Sequence, residues 1–201
     1  MVKAILFDFY GVWARDKIQA VLDESEALGA PETATMAELV KRYYHGELNF
    51  AELIYFLSIE LRITNLDEAT LSVSESDIPP ALISLARNLH SHFVKIGILA
   101  NLGLTELTLL ERFNSRQSLF EAVLSPLSLS VKHPLLSNEV FTKAVRSIDE
   151  VPGSCLVVSG HDDYLSFASN FGMHAIRFTG IAQLAETLED LLLQDVPSST
   201  D

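Results

Sequence analysis

Four consecutive apolar residues, Ala4-Ile5-Leu6-Phe7, end in a single acid, Asp8, with Gly11 close behind. A short apolar run without polar alternation is the pattern of a strand buried on both faces of a parallel sheet. Helical periodicity then takes over. Ile18, Val21 and Leu22 form one stripe, stopped by Gly29 and Pro31. Met36, Leu39, Val40, Tyr43 and Tyr44 form a second that ends near Gly46, and Phe50, Leu53, Ile54 and Leu57 a third; 66–73 is a weaker fourth. The polar stretch 74–80 leads into a proline suited to the first turn of a helix.

From Pro80 onward the two periods alternate. Leu82, Leu85, Ala86 and Leu89 mark a helix, 93–100 a strand, 104–113 a helix and 120–124 a short strand. Val140, Phe141, Ala144, Val145 and Ile148 line the next helix, 155–158 is a fully apolar strand, 165–171 a helix and 173–178 a strand. Leu184, Leu188, Leu191 and Leu192 close the series as an amphipathic helix. Such alternation predicts an α/β fold, a Rossmann-like three-layer parallel sheet covered by helices. The expected division is a core of 1–14 plus 79–195, an inserted helical cap of 15–78 over the sheet's C-terminal edge, and a flexible tail of 196–201.

Composition narrows the partners. Of 201 residues 48% are hydrophobic, as expected of a chain with a buried core. Fourteen Lys+Arg against 27 Asp+Glu give a net charge of −13 without a basic cluster, which argues against nucleic acid. The single cysteine, Cys155, lies inside an apolar run and is expected to be a buried core residue. Met1-Val2-Lys3 runs straight into a strand, and no apolar run approaches the length of a membrane span. A cytoplasmic protein with no membrane partner is expected; oligomeric state is not legible.

Four places follow predicted strand ends and so converge on one edge of a parallel sheet: Asp8, Asn101, the segment 131–134 with Lys132 and His133, and the segment 159–164. At these places the chain resembles the haloacid dehalogenase (HAD) superfamily of hydrolases, which includes many phosphatases. Phe7-Asp8-Phe9-Tyr10-Gly11-Val12 looks like its first motif and Gly97-Ile98-Leu99-Ala100-Asn101 like its second. Lys132 before His133-Pro134 looks like the third; Val157-Val158-Ser159-Gly160-His161-Asp162-Asp163, followed by Phe171-Gly172, looks like the fourth. The resemblance implies that Asp8 is a nucleophile and that Lys132 keeps it ionised and neutralises the transferred group. It implies substrate contacts for Tyr10, Asn101, Ser159 and His161, although Asn101 also reads as a plain strand-end turn residue. His133 and His161 are candidate acids or bases.

The departures matter as much. Phosphatases of this kind carry a second aspartate two positions after the nucleophile, where this chain has Tyr10, and a phenol with an ordinary pKa near 10 is a poor proton shuttle. Ala100 replaces a hydroxyl that hydrogen-bonds the phosphoryl group; one such bond to charge, about 1.5–3 kcal/mol, is worth roughly ten- to hundredfold in rate. A magnesium ion, which the resemblance implies, would be held by Asp8 with Asp162 and Asp163, but only if the last two are displaced from the family's acidic positions, which fall on Ser159, Gly160 and Tyr164. Their other reading is charge at a helix N-terminus. No organic cofactor is expected. The metal-independent 2-haloacid dehalogenases share a tyrosine at the position of Tyr10 and the pairs Val158-Ser159 and Phe171-Gly172. They also carry a cap arginine, for which Arg42 is the nearest candidate by position, in a context that does not match. Three functions therefore stand: a hydrolase-like protein binding a small phosphorylated or carboxylated anion at Asp8 and Lys132 with impaired magnesium-dependent turnover, a non-catalytic binding or regulatory protein, and a dehalogenase-like hydrolase.

Overall fold

The computed structural model describes residues 1–27, 29, 31–60, 71–132 and 134–193. Five parallel strands, β1 (Ala4–Phe7), β2 (Lys95–Leu99), β3 (Ala122–Leu124), β4 (Cys155–Ser159) and β5 (His174–Arg177), form a sheet of order β3-β2-β1-β4-β5. The chain extends from β1 through β2 to β3 on one side and through β4 to β5 on the other. A crevice therefore opens beyond the C-terminal ends of β1 and β4, where such sheets bind ligands.

Strand alternation makes this a three-layer fold. Ile5, Phe7, Ile96, Ile98, Leu156 and Val158 face one apolar cluster, while Ala4, Leu6, Leu99, Cys155 and Val157 face the other. The first cluster takes in Leu82, Ala86 and Leu89 of α4 (Pro80–Ser91), Leu107 and Leu110 of α5 (Leu104–Gln117) and Leu184 and Leu188 of α8 (Ile181–Leu193). The second takes in Val140, Phe141 and Ala144 of α6 (Asn138–Ser147) and Tyr164 and Ala168 of α7 (Asp162–Asn170). Cys155 is fully buried, and burial pushes its thiol up to about 11.

Between β1 and β2 lie the helices α1 (Lys17–Ala27), α2 (Thr33–Tyr44) and α3 (Phe50–Glu60), in the place expected for a cap; most of the weaker fourth stripe, and the tail, fall outside the described residues. The buried faces of these helices, including Ile18, Met36, Val40, Tyr43, Leu53 and Leu57, belong to the same cluster as Ile5 and Phe7. The insertion thus shares its core with the sheet. After it, 74–80 is not featureless: Ser74 and Asp77 cap a single 3-10 turn, Glu75–Asp77, before Pro80 opens α4.

The segment joining β1 to α1 folds back tightly. Trp13 and Ala14 both donate their backbone N–H to Phe9 O, and Gly11 N donates to Ala14 O. Gly11 makes the turn at φ +77°, a left-handed conformation that favours glycine. Trp13 is fully buried, its ring edge-on to Phe7 and to Phe120 at 5.8 and 4.8 Å. It is a packing residue, as aromatic bulk here requires.

Candidate active site

Asp8 stands one residue past β1, its backbone N–H still donating to Val158 O on β4. The residue is 5% exposed. The Phe9 backbone N–H donates to Oδ1 at 2.8 Å, and Ser159 Oγ donates to Oδ2 at 2.6 Å. His161 Nε2 lies 4.0 Å from Oδ2. Burial pushes the Asp8 carboxyl up to about 6, against the nearby His161 and the hydrogen bonds from Ser159 and Phe9, which pull it down. At neutral pH it is still mostly ionised, and short of solvent.

A cavity of about 340 Å³ opens over Asp8. Its floor is the sheet edge: Asp8, Tyr10, Asn101, Gly160, His161 and the cations and acids around them. Its roof is one stripe of α2, in which Ala37, Val40, Lys41, Tyr44 and His45 recur at helical spacing. Leu22, Leu135 and Leu136 add apolar wall. A space of this size suits a small molecule.

Several polar groups around the cavity are already committed. Tyr10 and Tyr43 share a hydroxyl hydrogen bond of 2.8 Å, and burial pushes Tyr10 well above the usual phenol range. The Asn101 amide donates to the backbone oxygens of Tyr43 and, at 3.4 Å, Leu48. It therefore ties the insertion to the sheet edge. Tyr164 donates to Leu99 O at 2.5 Å and burial likewise raises its phenol far up. Tyr44 donates to Asp16, and its ring lies 4.4 Å from that of His161. Close by, Gly46 adopts φ +78° with the Leu135 N–H donating to His45 O at 2.7 Å.

Two expected arrangements are not formed. Lys132 is exposed and lies outside the cavity wall, and among the described residues no hydrogen bond or ion pair joins it to Asp8. Val131 is buried and the next side chain turns outward. The group facing the Asp8 carboxylate is His161 instead; His133 falls outside the described residues. Asp162 and Asp163, in turn, open α7 as first-turn acids. Asp162 pairs with Arg177, while Asp163 lies 3.0 Å from Lys41 and 3.3 Å from His45. The hydrogen bond from Lys41 holds the Asp163 carboxyl below its usual range.

The donor set does not fit magnesium. That ion needs several hard oxygen ligands in near-octahedral array, and among the described residues no group of three His, Cys, Asp or Glu side chains could hold a metal. Of the three aspartates lining the cavity, Asp162 and Asp163 are paired with Arg177 and Lys41, and among the described residues no ion pair with Lys or Arg reaches Asp8. Lys41, His45, Asp16 and Arg177 emerge only with the folded site. In sequence they look like ordinary charges on helix and strand surfaces, although Lys41, Tyr44 and His45 do share helical spacing with Ala37.

A buried carboxylate in a crevice beneath an inserted helical layer defines a capped α/β architecture. The chain has the fold of the HAD superfamily. β-Phosphoglucomutase from Clostridium difficile superposes with a TM-score of 0.65 at 15% identity, over 96% of this chain and 98% of that one. L-2-haloacid dehalogenase from Xanthobacter autotrophicus, with chloropropionic acid covalently bound, gives 0.60 at 20%, over 98% and 84%. A HAD phosphatase from Thermococcus onnurineus gives 0.58 at 17%, over 93% and 98%. No family model and no curated protein matches the sequence. No described helix is long and apolar enough to cross a membrane.

Proposed function

We propose that the protein is a metal-independent hydrolase whose Asp8 displaces a leaving group from carbon in a small carboxylate-bearing substrate, the chemistry of a 2-haloacid dehalogenase. The observation that carries this reading is the state of the acids: Asp8 faces the cavity with no Lys or Arg paired to it among the described residues, while Asp162 and Asp163 are each held by such a cation. An Asp8 oxygen attacks the carbon bearing the halogen. The carbon–halogen bond breaks, and the halide leaves with its electron pair. No proton is needed by that leaving group, so a Tyr10 hydroxyl tied to Tyr43 is no handicap.

Phosphoryl transfer fits less well. Without a metal, each charge of a phosphoryl group about 4 Å from ionised Asp8 meets roughly 4 kcal/mol of repulsion at an effective dielectric of 20. A haloacid brings one negative charge, which can sit toward Lys41, His45 or Arg177 while its alkyl part meets Leu22, Val40, Leu135 and Leu136. The magnesium that the phosphatase-like motifs imply finds no group of three His, Cys, Asp or Glu side chains to hold it among the described residues. The test is halide release from 2-chloropropionate and 2-bromopropionate with a chelator present. Turnover that survives chelation and disappears in Asp8→Asn supports the reading. Silence toward haloacids combined with magnesium-dependent hydrolysis of phosphate esters sinks it.

One pair of observations favours a second reading, a non-catalytic anion-binding protein: Lys132 stands away from Asp8, and Ala100 offers no hydroxyl. In that case 2-hydroxypropionate or inorganic phosphate raises the melting temperature while neither haloacids nor phosphate esters turn over.

A further inference from the structure

We propose that His161 is the acid/base residue that hydrolyses the covalent ester on Asp8, with Tyr44 of the insertion holding its ring in place. The inference rests on the reading of Asp8 as nucleophile and extends it to the second half of the reaction. Once Asp8 carries the substrate as an ester, a water must lose a proton to attack the ester carbon. The structure narrows the candidates by elimination. Tyr10 is bonded to Tyr43, Tyr164 to Leu99 O, and the Asn101 amide donates to Tyr43 O and Leu48 O. Ser159 donates to Asp8 itself. Asp162 pairs with Arg177 and Asp163 with Lys41, and His45 Nε2 is turned to Asp163 at 3.3 Å. His161 is the remaining proton-exchanging side chain of the cavity wall, among the described residues, that faces Asp8.

Its placement suits the task. A separation of 4.0 Å between Nε2 and Oδ2 is too long for a direct bond. It is the span closed by one water with ordinary hydrogen bonds of about 2.8 Å meeting near a right angle. The residue is fixed at three points: its backbone N–H donates to Ser159 Oγ at 3.1 Å, it occupies the N-cap of α7, and its ring lies against Tyr44. Tyr44 is anchored through its hydroxyl to Asp16. Ser159 therefore orients the carboxylate and the histidine together, and the helical insertion holds the imidazole from above.

His161 Nε2 takes a proton from water, and the hydroxide oxygen bonds to the Asp8 carboxyl carbon. The tetrahedral adduct collapses, breaking the bond between that carbon and the substrate oxygen. The departing alkoxide takes the proton back from His161, leaving a 2-hydroxyacid. Asp8 is left as a carboxylic acid and releases its proton to solvent, so each cycle yields one halide and one proton.

The experiment compares wild type, His161→Gln and Asp8→Asn with 2-chloropropionate, following halide release, acid release and intact protein mass. His161→Gln is expected to release about one halide per enzyme and stop, with the carboxyalkyl adduct retained on Asp8 and steady turnover reduced about 100-fold or more. Tyr44→Leu, which removes the ring but leaves His161, is expected to show partial accumulation of the same adduct. Turnover in His161→Gln within a few-fold of wild type overturns the proposal. So does loss of turnover without an adduct, which would place His161 in binding or alkylation. If wild type itself releases no halide and forms no adduct, the nucleophile reading has failed instead, and the two failures are distinguished.

Discussion

Ser159 Oγ donates to Asp8 Oδ2 at 2.6 Å, joining the end of β4 to the end of β1 across 151 positions of sequence. The bond favours the ionised carboxylate and opposes burial, which favours the protonated one. Ser159→Ala is therefore expected to raise the Asp8 pKa further. A hydrogen bond to charge of about 1.5–3 kcal/mol corresponds to roughly one to two pH units. The acid limb of the kcat/KM profile, expected near pH 6 for wild type, should move up by about that amount, as read from initial rates across pH 4 to 9.

Asp8 also carries a stability cost with a defined sign. Its carboxyl is at about 6 in the folded protein against an ordinary 3.8. Between those values the folded state binds more protons than the unfolded state, so stability falls as pH rises through the window. Asp8→Asn is expected to be more stable than wild type at pH 7–8, by up to about 3 kcal/mol. The advantage should shrink toward zero below about pH 4. Urea denaturation at a series of pH values measures both.

Gly46 sits where the insertion meets the sheet edge. At φ +78° a Cβ would lie 2.9 Å from Leu135 N, the group that donates to His45 O. Gly46→Ala then costs about 1–2 kcal/mol in backbone conformation alone. The added clash should displace His45 and the α2 stripe above the cavity. A lower melting temperature and a raised KM for 2-chloropropionate are the expected pair of results.

Lys132→Met should leave kcat and KM within about twofold, since an exposed side chain away from Asp8 has little to lose. A fall of a hundredfold would show that Lys132 reaches the carboxylate in solution. Steady-state kinetics on the purified variant decides it.

Much of the fold could be read from periodicity, because the two periods differ sharply and the strands are buried on both faces. Cys155–Ser159 carries no exposed position at all, and the apolar stripe of α2 emerges at Met36, Leu39, Val40 and Tyr43. Boundaries were less legible: α7 begins at Asp162, earlier than its apolar residues indicate, because first-turn acids and an N-cap extend it. Asp8 was legible because one acid at the end of an apolar strand is rare. Lys132, which the motif reading sets beside Asp8, stands exposed outside the cavity wall for a physical reason. Following the first turn of chain beyond a short edge strand, sequence fixes proximity along the chain but not the direction in which the side chain leaves. Lys41 and His45 were invisible as site residues because polar positions on a helix look alike until the sheet edge is placed beneath them.

Trp13 is the only tryptophan in the chain, five positions after Asp8, and it is sealed between Phe7 and Phe120 with its backbone N–H on Phe9 O. The molecule consequently carries a built-in optical reporter of the segment that follows Asp8. Emission should be blue-shifted in the native state and move to the red as that segment loosens. Any variant above can thus be sorted, without a label, into one that alters chemistry on an intact loop and one that has dismantled the loop itself.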